Sequence, residues 1–169
     1  MIVRSHNCFT LHTAHTSYQM AVGAKGMLLH TYYGARLPDD APNLADNRVP
    51  HGDPGCWPDL LPQELSGSGT ADNRTPAVIP EYADGTEAAA FVFDHAEVHP
   101  GKPRLPGLPM FRNGDGVETL SVFLKDPGGL AAELRYSVYE AEDLITRTVI
   151  YSNNGDEPLT LHKAASLSL

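Results

Sequence analysis

The run LAAELRYSVY, residues 130–139, decides the fold. Its apolar residues Leu130, Ala132, Leu134, Tyr136 and Val138 take every second position, with Glu133, Arg135 and Ser137 between them. A period of two puts the first set on one face of an extended strand and the second on the other. An amphipathic helix would repeat at 3.6 residues instead, so the strict alternation selects a strand with one buried face. The next run, DLITRTVIYS (143–152), is rich in β-branched residues and reads as its neighbour.

Working outward, the same grammar recurs. VETLSVFLK (117–125) puts Leu120, Val122 and Leu124 on one face. CFTLHT (8–13) reads as a first short strand. In SYQMAV (17–22), Tyr18, Met20 and Val22 oppose Ser17, Gln19 and Ala21. GAKG (23–26) turns the chain into MLLHTYY (27–33), which predicts a hairpin. AVIPEY (77–82) runs into Ala83-Asp84-Gly85, a hairpin turn signal. An extended segment at 87–99 carries Phe91 and Phe93 on one face. The final turn, NNGDEP (153–158), leads into LTLHKAASLSL. The chain holds 15 Gly and 14 Pro, enough to punctuate this many strands. No window of useful length reads as helix. Short strands separated by turns predict an all-β fold, a sandwich of antiparallel sheets with long Pro- and Gly-rich loops.

One region resists the pattern. From residue 38 to about 76 the chain has several prolines and no sustained period. A central ladder needs the N–H that proline lacks, so a long shaped loop is expected here. It carries Trp57, the single Trp of the sequence, and scattered apolar anchors that a plain linker would lack. PGKPRLPGLP (100–109) is a second proline-dense loop.

With 169 residues the chain suits one domain, or part of a larger one. A formal net charge of −9 argues against nucleic acid and anionic membrane surfaces as partners. Cys8 and Cys56 make no disulfide framework and are expected as two thiols. The N-terminus lacks the apolar core of a signal peptide, and AAAFVF (88–93) is far too short to span a bilayer, so a cytoplasmic protein is expected. The sequence stops at SLSL in mid-strand, which predicts a fragment, since a bare strand edge invites association.

Catalytic and metal patterns are sparse. There is no CxxC and no HExxH. His12 and His15 point to opposite faces of a strand, and His95 and His99 are too far apart for one ion without a bend. GSGT (67–70) resembles a nucleophile elbow but has no helix after it, and no Gly-rich phosphate cradle exists, so no cofactor is expected. Carboxylates gather in the long loop: Asp39, Asp40, Asp46, Asp53, Asp59, Glu64 and Asp72. Paired carboxylates hydrolyse glycosides, yet loop carboxylates mostly cap turns. Trp57 has two readings, core filler or stacking platform for a sugar ring.

A series of blocks then carries a resemblance: LLHTYYGARL (28–37), DLLPQE (59–64), GTADNRTPA (69–77), GKPRLPGLP (101–109), ETLSVFLKD (118–126) and the final 153–169. In this order they resemble the N-terminal β-domain of the α-galactosidases of glycoside hydrolase family 36. The resemblance implies a partial β-supersandwich and a catalytic (β/α)8 barrel lying outside this chain, with both catalytic aspartates of a retaining mechanism. It implies α-galactoside sugars as ligands and a homotetramer in which a loop of this domain reaches a neighbour's active site. The residues carried over for sugar contact, in trans, are Asp46, Arg48, Asp53, Trp57 and Arg74. The family usually has an aromatic before that Arg and after the Gln-Glu pair, where this chain has Asn73 and Leu65. A free-standing β-sandwich carbohydrate-binding module is the alternative reading.

Overall fold

The computed structural model describes residues 1–23, 25–45, 62–69, 74–111 and 114–167. Among them ten strands form and no helix does. A first antiparallel sheet holds β1 (Ile2–Ser5), β2 (Cys8–His12), β3 (Thr16–Val22) and β4 (Leu28–Ala35) in chain order. A second holds β6 (Val92–Pro100), β7 (Glu118–Lys125), β8 (Leu130–Tyr139) and β9 (Leu144–Asn153), also in chain order. Between them in sequence lies β5 (Val78–Glu81), which pairs with β10 (Thr160–Ala164).

The alternating runs explain the packing. In the second sheet Leu120 pairs with Tyr136, Val122 with Leu134 and Leu124 with Ala132, so two apolar rows share one face. All six side chains are buried. The first sheet answers with Phe9, Leu11, Met20 and Leu28, and the two inner faces join in one core with Leu65, Val78 and Phe91. Face-to-face burial of this kind makes an antiparallel sandwich. Gly129 takes φ +95 at the β7–β8 turn, and a Cβ there would meet the Gly155 backbone at 2.8 Å. Gly67 lets the chain pass Ala89, whose carbonyl oxygen would lie 2.2 Å from an added Cβ.

Two sequence expectations change. The first strand is preceded by β1, which pairs with β2 through Ile2 and Leu11. The turn after β5 does close, with Tyr82 N–H donating to the Thr86 carbonyl at 2.9 Å, but it makes no strand hairpin. Residues 87–91 are not strand, and β5 takes β10 as its partner instead.

Candidate functional site

Of the residues proposed for sugar contact, Asp46, Arg48, Asp53 and Trp57 lie outside the described residues, as does Cys56. Arg74 is described and half-buried, three residues before the buried Ala77. What the structure defines is how the chain leaves for residues 46–61 and how it returns. Both ends are held by β3, on opposite faces.

The outgoing end is held by Gln19, which is fully buried. Its Nε2 donates to the Pro42 carbonyl at 3.1 Å and to Thr10 Oγ1 at 3.2 Å. Its Oε1 accepts from Leu44 N–H and Thr31 Oγ1, both at 2.9 Å. Two residues earlier, Ser17 Oγ accepts from Leu37 N–H at 2.8 Å and lies 2.7 Å from His12 Nδ1. Burial, then the Arg36 charge, hold His12 below its ordinary pKa, so the ring is neutral at pH 7.

The returning end is held by Glu64. Residues 62–64 run along the edge of β4: His30 N–H donates to the Pro62 carbonyl at 2.8 Å, and Glu64 N–H to the Leu28 carbonyl at 2.9 Å. Leu29 and Gln63 form an antiparallel bridge there. This backbone pairing aims the Glu64 side chain into the sandwich, where it has no solvent exposure. Tyr18 Oη donates to Oε1 at 2.7 Å and Tyr136 Oη to Oε2 at 2.6 Å. Arg147 Nη1 donates to Oε2 at 3.0 Å, and its Nη2 to the Glu64 carbonyl. His30 Nδ1 lies 3.1 Å from Oε1. The guanidinium also sits over the Tyr136 ring, 5.3 Å from its centroid.

Burial alone would raise the Glu64 pKa. The His30, Arg147, Tyr136 and Tyr18 contacts outweigh it and hold the carboxyl below the usual range. Burial and the Glu64 charge push both tyrosine phenols up. The carboxylate is therefore ionised and sealed from solvent. A general acid or base must reach its substrate, so Glu64 does not serve as one. It joins β3, β4, β8 and β9 at one point. Sequence reading grouped it with turn-capping carboxylates. The overlooked signal was Arg147, which shares the inward row of β9 with Ile145 and Val149. A charge in an apolar row requires a buried partner.

The histidines weighed as metal ligands fall in different surroundings, and His15 lies between β2 and β3 rather than in a strand. His12 is buried, whereas His15 is exposed beside Asp143. His95 stacks on Phe123 with ring centroids 4.2 Å apart, and His99 pairs with Glu97 at 3.2 Å. Among the described residues no helix is long and apolar enough to cross a membrane.

Comparison with known proteins gives a consistent result. The family model described as "Glycosyl hydrolase family 36 N-terminal domain" matches residues 26–169. The bifunctional alpha-galactosidase/sucrose kinase AgaSK of Mediterraneibacter gnavus is 39% identical over 95% of this chain and 18% of its own length. Alpha-galactosidase 1 of Pediococcus pentosaceus is 32% identical over 98% of this chain and 24% of its own. The solved galactosidase domain of AgaSK superposes with a TM-score of 0.86 at 35% identity, covering 99% of this chain and 25% of that one. The GH36 alpha-galactosidase AgaB of Geobacillus stearothermophilus gives 0.83 at 31% identity, covering 97% and 24%. The chain thus spans about a fifth to a quarter of the length of these relatives.

Proposed function

The chain belongs to glycosyl hydrolase family 36 through its N-terminal domain, and on that premise we propose that it is the accessory β-domain of an α-galactosidase. The relatives named above are α-galactosidases. In this reading the full polypeptide releases terminal α-galactosyl residues from galacto-oligosaccharides with retention, in the cytoplasm. A barrel beyond this chain supplies both catalytic aspartates. The present domain completes a supersandwich with further strands, provides contacts of a homotetramer, and lends residues 46–61 to a neighbouring active site. Asp46, Arg48, Asp53, Trp57 and Arg74 contact the sugar there.

The observation that carries this reading is the anchorage. Two buried hubs on adjacent residues of β3 hold the chain on either side of residues 46–61. A segment that presents side chains to a partner needs a rigid base, because ordering it during binding would weaken the contact. The reading predicts a division of labour. The full-length protein hydrolyses an aryl α-galactoside, and the purified 169-residue chain does not. Galactose release by the isolated chain would contradict it.

A further inference from the structure

We propose that Glu81, Glu87 and His162 form a site for a borderline divalent metal ion, Zn²⁺ or Ni²⁺, that clamps β10 onto β5. The three residues come from three segments. Glu81 ends β5. Glu87 follows the turn closed by the Tyr82–Thr86 and Tyr82–Gly85 backbone hydrogen bonds, both 2.9 Å, so the two carboxylates flank one turn. His162 lies two residues beyond Thr160, the ladder partner of Glu81, and the register shifts around it, between Leu161 and Lys163. Its Nε2 lies 2.5 Å from Glu81 Oε2. One ligand atom from each of the three residues falls within 4.8 Å of the other two.

The chemistry of this set selects the ion. Two carboxylates facing each other across a turn repel, and a cation between them removes that cost. The Glu87 carboxylate makes no ion pair among the described residues, whereas the other two groups already face each other. One imidazole and two carboxylates give three protein ligands and leave a position for water, an arrangement that zinc accepts. The imidazole favours Zn²⁺ or Ni²⁺ over Mg²⁺ and Ca²⁺, which take all-oxygen shells. The side chains are exposed, so they can close onto the ion without disturbing the core.

The competing account is a surface ion pair between His162 and Glu81 alone. Glu87→Gln separates the two, because it keeps that pair and removes the third ligand. The test is calorimetric titration of Zn²⁺ into chelator-stripped full-length protein, with thermal melts in parallel. The expected result is one more bound equivalent in the wild type than in Glu87→Gln or His162→Gln. Zinc should also raise the wild-type Tm, as a ligand bound only by the folded state must, and leave both variants unmoved. Without metal, Glu87→Gln should melt no lower than the wild type, since the substitution keeps the His162–Glu81 pair and relieves the repulsion between the two carboxylates. Equal zinc uptake by the wild type and both variants would overturn the proposal.

Discussion

Tyr18 and Gln19 are neighbours on β3, yet they serve two different kinds of anchor. Tyr18 faces inward to Glu64, where an ion pair is sealed among aromatic rings. Gln19 faces the other way, where one neutral amide bonds two backbone groups and two hydroxyls. The difference is one of desolvation. A neutral amide loses little on burial when its donor and acceptor are both matched. A buried carboxylate loses several kcal/mol of hydration and persists only with a full set of partners. The outgoing end of residues 46–61 is thus held by a tolerant anchor, and the returning end by one that must be complete.

The largest effect should follow from breaking the ionic anchor. Glu64→Ala leaves Arg147 buried without its counter-charge and should cost about 3–5 kcal/mol in urea unfolding at neutral pH. The loss carries a pH signature. The folded pKa of Glu64 lies below its unfolded value near 4.5, so its contribution is present in full above that value and is lost as pH falls through the lower folded one. The gap between variant and wild type should therefore narrow in acid. A cost that is small and independent of pH would show that the pair adds nothing over an apolar replacement.

A smaller effect is expected on the other face. Gln19→Leu strands the Leu44 N–H and the Thr10 and Thr31 hydroxyls, and should cost about 1–3 kcal/mol. Amides do not titrate, so this cost should hold steady over the acid range in which the Glu64 cost shrinks. Identical pH profiles for the two variants would erase the distinction between the anchors.

Much of this fold was legible in the sequence, and the reasons are local. Leu130 to Val138 and Leu120 to Leu124 alternate so cleanly that face and partner face follow from the pattern. Contacts between distant segments were not legible. Nothing near Val78–Glu81 announces Thr160–Ala164 as its partner, because the Tyr82–Thr86 turn reads as a hairpin and only the tertiary fold withholds the second strand. Glu64 sits in a segment without period, and its partners at Tyr18, His30, Tyr136 and Arg147 lie on four separate strands. Leu65, in the same segment, is buried in the core, a place that its lack of period did not announce.

The smallest effect on stability is expected at Trp57, where the functional reading is tested most directly. The proposed function has the Trp57 ring serve a sugar rather than the core, and on that proposal Trp57→Ala in the full-length protein should lower kcat/KM for an α-galactoside while leaving Tm close to that of the wild type. An unchanged kcat/KM together with a large fall in Tm would contradict the account and mark Trp57 as a packing residue.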